Sequence, residues 1–181
     1  MITEDAAIIP IRISEEYIGK GDNMSVALTQ EVIDVINGKE TQKVLATVDK
    51  DGRVNVAFKG SLHYEDGLLV VNELLETSQT NKNLTYSLWF DKEVAAVFHG
   101  PGATEYQIKG IPRRVLIEGP VYEKAYVSAL ERNPENDLAG VWYIEPTEFR
   151  DLTLPVRLAE QKAKYPILGH LDKDVNPDYY K

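Results

Sequence analysis

The chain has 181 residues, 43% apolar and 27% charged, enough for one globular domain with a substantial core. Its formal net charge of -9 argues against a nucleic-acid or anionic-membrane partner. The absence of cysteine excludes disulfides, thiolate metal sites and a cysteine nucleophile. Residues 1–25 read as an extended lead-in, acidic and broken by Pro10 and Arg12, neither a signal peptide nor a membrane span. A cytoplasmic location is the default expectation. Thr29 can cap a helix running to about Asn37, with Glu31 in its first turn and Gly38 as the stop. "KVLATV", the turn "DKDG" and "RVNVAF" then make a hairpin, with Val54, Val56 and Phe58 on one face and Asn55 and Ala57 on the other. "SLHY", "EDG" and "LLVVN" make a second hairpin. "EVAAVF", "HGPG" and "TEYQIKG" make a third, which continues through "RRVLIEG". Pro120 opens a helix on which Tyr122, Ala125, Tyr126, Ala129 and Leu130 follow helical spacing. A last strand, "LAGVWYIEP", runs into "TEFRDLT", and residues 155–181 read as a short helix followed by an arm. Short strands joined by regular hairpin turns predict a mainly β fold with α decoration, a small antiparallel barrel.

The segment "ETSQTNKN" interrupts this pattern. It places hydroxyl and amide side chains between a strand and a helix. Thr77 or Ser78 capping a solvated helix start accounts for it in the simplest way. The alternative is an anion site. A helix N-terminus offers unpaired backbone N–H groups and the positive end of the helix dipole. Ser, Thr and Asn add donors, Gln79 adds an amide, and Lys82 can add charge. Periodicity does not choose between the two. Each neighbouring residue also has a structural role open to it: Asn55 as an outward strand residue, Phe58 as core, Asn72 as a strand end, "GPG" as a tight turn. His63, His99 and His170 lie apart with no ligand spacing, so no metal site is expected. No P-loop, Rossmann fingerprint or nucleophile elbow is present.

The order of these pieces resembles the FMN-binding split barrel of the pyridoxamine 5'-phosphate oxidase-like superfamily, nearest to its small bacterial FMN-binding proteins. The resemblance is carried by "VNVAF" (54–58), "QTNKN" (79–83) and "GPG" (100–102), and it covers roughly residues 28–150. It implies an FMN-binding split barrel over 26–154, flanked by the lead-in and by the C-terminal helix and arm at 155–181. It implies that Gln79 and Thr80, with nearby backbone N–H groups, hold the flavin phosphate, and that Asn83 faces the same site. The isoalloxazine edge would lie along Asn55, Val56, Ala57 and Phe58, with Asn72 closing the floor. In this family the flavin lies between two subunits, so the Trp142 strand would cover the ring from the partner, and Trp142, Tyr143 and Ile144 are the interface candidates. The family position that often holds Lys is Gln79 here, which removes a positive charge.

The function implied is a homodimeric flavoprotein using FMN as a redox group, an oxidoreductase whose flavin carries the chemistry. No catalytic side chain is nominated. NADH, NADPH or a redox protein would be the electron partner. The alternative is a non-catalytic protein that binds or senses flavin or haem on the same fold. A true pyridoxamine 5'-phosphate oxidase is the least favoured reading. Such an enzyme needs a second phosphate site, and the C-terminal part offers only Arg150 and Arg157.

Overall fold

The computed structural model describes residues 26–165. The lead-in at 1–25, the arm beyond 165 and His170 lie outside the described residues. The element order is α1 (Gln30–Asn37), β1 (Gln42–Val48), β2 (Val54–Phe58), β3 (His63–Glu65), β4 (Leu68–Glu73), α2 (Gln79–Phe90), β5 (Val94–His99), β6 (Glu105–Leu116), α3 (Pro120–Arg132), β7 (Gly140–Asp151) and α4 (Leu154–Lys164), with a 3-10 turn at Pro101–Ala103. The expected elements are therefore in place. Thr29 caps α1 by accepting from the Val32 N–H, and Ser78, rather than Thr77, caps α2 by accepting from the Asn81 N–H.

The strands form one seven-stranded sheet in the order β2-β1-β5-β6-β7-β4-β3, with antiparallel neighbours throughout. β2 and β3 are its two edges, and this is the open seam of a split barrel. Side-chain parity decides what goes inside. Leu69 and Val71 of β4 and Trp142 and Ile144 of β7 point into the main core, with Leu45, Leu62, Leu84, Phe98 and Ile108. Val70 and Val141, of opposite parity, lie in a second cluster with Leu138, where Tyr122, Ala125 and Tyr126 of α3 pack on the sheet's outer face.

That parity corrects one expectation. Trp142 is 2% exposed and Ile144 fully buried, and the Trp142 indole N–H donates to Asn81 Oδ1 at 2.9 Å. Neither side chain is available to a partner subunit or to a partner's flavin. Only Tyr143 faces outward, with the Arg114 guanidinium 4.3 Å from its ring centroid. Arg113 bridges Asp91 and Glu145 at 2.6 and 2.7 Å.

β6 and β7 form the longest ladder, and its register shifts at Lys109/Gly110. Here the strands approach closely: a Cβ on Gly110 would lie 2.6 Å from the Glu145 carbonyl oxygen and 2.7 Å from Ile144. Gly110→Ala is expected to destabilise the fold by about 1–3 kcal/mol through overpacking. Gly60→Ala, with nothing within 4 Å of the added carbon, serves as the near-neutral control in the same urea titration.

Candidate functional site

The two sheet edges are treated differently. The outer side of β3 is covered by α1: the Asn37 amide donates to the Tyr64 carbonyl at 2.9 Å and accepts from the Tyr64 N–H at 2.8 Å. The outer side of β2 has no partner among the described residues. Which of its backbone groups are free follows from the phase of the β1–β2 ladder. The Lys59 N–H donates to the Lys43 carbonyl at 2.9 Å, and the Asp49 N–H donates to the Arg53 carbonyl at 3.0 Å. Hydrogen-bonded pairs alternate in an antiparallel ladder. With Leu45 opposite Ala57 and Thr47 opposite Asn55, Ala57 and Asn55 turn their backbone groups toward β1. Val54, Val56 and Phe58 turn theirs to the open edge. Of the expected run, it is Val56 and Phe58 that present N–H and C=O to the open edge.

The side chains of β2 divide along the same residues. Val54, Val56 and Phe58 are 69%, 62% and 75% exposed, so Phe58 is not core. Asn55 and Ala57 are half-buried. Asn55 is not an idle outward residue: its Nδ2 donates to Thr80 Oγ1 at 3.1 Å and approaches Thr47 Oγ1 at 3.4 Å. Asn83 Nδ2 donates to the same Thr47 hydroxyl at 3.0 Å, and Gln79 Nε2 donates to Asn83 Oδ1 at 2.7 Å. Thr47, Thr80 and Asn83 are 0%, 3% and 2% exposed. Asn55, Gln79, Thr80 and Asn83 are thus brought together, but as a hydrogen-bonded network tying the first turn of α2 to β1 and β2. Thr80 and Asn83 spend their polar groups within the chain rather than on an open surface. What α2 leaves available is backbone: the N–H groups of Gln79 and Thr80 have no partner among the described residues. Gln79 and Lys82 are exposed beside them.

Behind the helix start lies a cleft of about 270 Å³ lined by Phe58, Lys59, Ser61, Asn72, Ser78 and Arg132, among others. Asn72 stands in its wall, fixed through its backbone: its N–H donates to Ser61 Oγ at 3.0 Å, and Ser61 Oγ donates back to its carbonyl at 3.1 Å. Two participants carried no sequence signal. Glu73 is 1% exposed; its Oε2 accepts from Ser78 Oγ at 2.8 Å, and its Oε1 lies 2.5 Å from Lys59 Nζ. A strand-terminal glutamate and a loop lysine read as surface residues until the fold sets them against each other. Asn72 also borders a second, shallower groove of about 540 Å³ with His63, Val70, Lys124, Val141 and Tyr143. Among the described residues no three His, Asp or Glu side chains gather as a metal site, and no helix is long and apolar enough to cross a membrane.

No protein-family model matches the sequence, and a search of curated proteins finds no match. Solved structures do match. HupZ of Group A Streptococcus superposes with a TM-score of 0.58 at 25% identity, over 71% of this chain and 96% of that one. An FMN-binding protein from Syntrophomonas wolfei gives 0.55 at 13% identity, over 67% and 84% of the two chains. A proposed pyridoxamine 5'-phosphate oxidase from Lactobacillus delbrueckii gives 0.52 at 22% identity, over 68% and 93%. The chain has the split-barrel fold of the pyridoxamine 5'-phosphate oxidase-like superfamily.

The network makes its own prediction. Asn83→Leu keeps the branched shape at a somewhat larger volume and leaves the buried Thr47 hydroxyl without its 3.0 Å donor. It should cost about 1–3 kcal/mol of stability, the scale of stranding a buried polar group. Urea denaturation without ligand measures it; an unchanged midpoint would mean that the network does not hold α2 in place.

Proposed function

We propose that this chain is an FMN-binding flavoprotein, a homodimer that uses the flavin as a redox group. The observation that carries the reading is one juxtaposition on a split-barrel fold. An open strand edge, with free backbone groups at Val56 and Phe58, stands beside a helix start with free N–H groups at Gln79 and Thr80. The side-chain link that joins them is Asn55 to Thr80 at 3.1 Å. The residues fit the cofactor in kind. A phosphate suits unpaired helix N–H groups and the positive end of a helix dipole, and the donor and acceptor edge of an isoalloxazine suits a strand edge. Thr80 and Asn83 act here by fixing the helix start, with the backbone doing the binding, and Asn72 walls the cleft.

When bound, FMN supplies the electron or hydride chemistry, and the chain supplies orientation and exclusion of water. NADH, NADPH or a redox protein is the proposed electron partner, and no acid or base from the chain is assigned. The cleft is small for a whole flavin, since ligand pockets usually run from about 300 Å³ upward. The outward faces of Val54, Val56 and Phe58 are apolar and uncovered. A second subunit over this strand would complete the site and bury that face.

A second reading, a non-catalytic protein that binds or senses flavin or haem, is favoured by one feature of the shallower groove. His63 Nδ1 lies 2.7 Å from the Ser61 carbonyl. A neutral ring donating there would keep its Nε2 lone pair free for a haem iron, although Glu65 Oε2 stands 3.5 Å from that nitrogen.

One sample separates the readings. The purified chain should show flavin absorbance, release FMN on denaturation as identified by mass spectrometry, bleach with NADH or NADPH, and sediment as a dimer at micromolar concentration. A Soret band on adding hemin, lost in His63→Ala, with no flavin uptake, would favour the second reading. A monomer with FMN bound would remove the shared site.

A further inference from the structure

The start of α2 already holds an anion of the chain's own. Glu73, the last residue of β4, is buried at 1% exposure beneath the helix. Its Oε2 accepts the hydroxyl of Ser78, the N-cap residue, at 2.8 Å, and that same hydroxyl accepts from the Asn81 N–H at 3.0 Å. Its Oε1 makes no aligned hydrogen bond but stands in ion-pair contact with Lys59 Nζ at 2.5 Å. All three side chains line the cleft with Arg132.

The carboxylate therefore has two effects on a visiting phosphate. It occupies the cap hydroxyl, one of the donors such a phosphate would otherwise use. It also cancels the charge of Lys59, a cation of the cleft wall whose side chain is 15% exposed. Gln79 adds no compensating charge, and Lys82 and Arg132 are exposed and screened.

We propose that Glu73 is a specificity-determining residue: its buried carboxylate stands where a ligand's anionic group would otherwise be favoured, so the site selects weakly for phosphate and admits flavins with or without it. This rests on the flavin reading above. Glu73 is a positioning and charge-setting residue rather than a catalytic one. Uncharged riboflavin and phosphorylated FMN then bind with similar strength, and the isoalloxazine contacts at the β2 edge supply most of the affinity.

The test compares the full chain with Glu73→Gln, which keeps the shape and can still accept from Ser78. Titrations use FMN, riboflavin and inorganic phosphate. In the wild type the FMN-to-riboflavin affinity ratio should stay below about tenfold, and inorganic phosphate should leave the melting temperature unchanged. In Glu73→Gln the ratio should rise by about tenfold or more, the scale of one charge interaction, and inorganic phosphate should raise the melting temperature. The double variant Lys59→Met, Glu73→Gln removes both charges of the pair and avoids a stranded ammonium; its ratio should stay near that of the wild type. A wild-type ratio of about a hundredfold or more, or a ratio equal in the wild type and Glu73→Gln, overturns the proposal, and the wild-type ratio stands whether or not the variants fold. If neither flavin binds any form, the flavin reading fails. The Glu73 proposal is then decided by inorganic phosphate alone: stabilisation of Glu73→Gln but not of the wild type upholds it, and equal responses overturn it.

Discussion

The site depends on a hydrogen-bonded contact between a sheet edge and a helix start. Thr47, Asn55, Thr80 and Asn83 join β1, β2 and α2 with distances of 3.0–3.4 Å, and three of the four are essentially buried. Polar side chains in such a place are costly unless they satisfy one another. Satisfied, they fix both the angle and the register of the helix against the strands. A hydrophobic contact of the same area would hold α2 but let it slide or rotate, because apolar contacts are non-directional. Here the unpaired N–H groups of Gln79 and Thr80 are held at a set position relative to the free edge of β2.

The rest of the fold follows from keeping that edge open. The β3 edge is closed by Asn37, and the interior is filled by Phe98, Trp142 and their neighbours. Among the described residues, strand β2 alone retains an unpaired strand edge together with an exposed apolar face. An edge of this kind is a liability in a protein that leaves it bare. It is an asset where a planar ligand and a second subunit cover it. Behind the same helix start the buried Glu73 carboxylate is ion-paired with the half-buried Lys59.

Much of this was legible in the sequence. Hairpin turns and strand alternation gave the elements, and "ETSQTNKN" marked the helix start that matters. Thr80 and Asn83 were singled out for their donors and Asn55 for its place on the "VNVAF" strand, and the three do meet. Their task was not legible, because whether an amide faces a ligand or a neighbouring hydroxyl depends on burial, which is decided by strands far away in sequence. Trp142 shows the same limit. An aromatic in an apolar strand suits a core and an interface equally well, and only the pairing of β7 with β4 and β6 turns it inward. The expectation that the whole run from Asn55 to Phe58 reads the flavin missed the ladder phase, a property of the pairing rather than of the residues. Glu73 was invisible for a related reason. A charged residue is almost never fully buried unless paired, and its partner Lys59 lies in a different loop.

The central claim is that the open backbone of β2 and the free N–H groups of α2 bind one flavin together. Backbone amide NMR during an FMN titration tests it most directly. The account predicts that the amides of Val56, Phe58, Gln79 and Thr80 shift together along a single binding curve, while the Asn55 and Ala57 amides, committed to β1, move less. Saturable FMN binding that leaves these four amides in place and shifts residues elsewhere would contradict it.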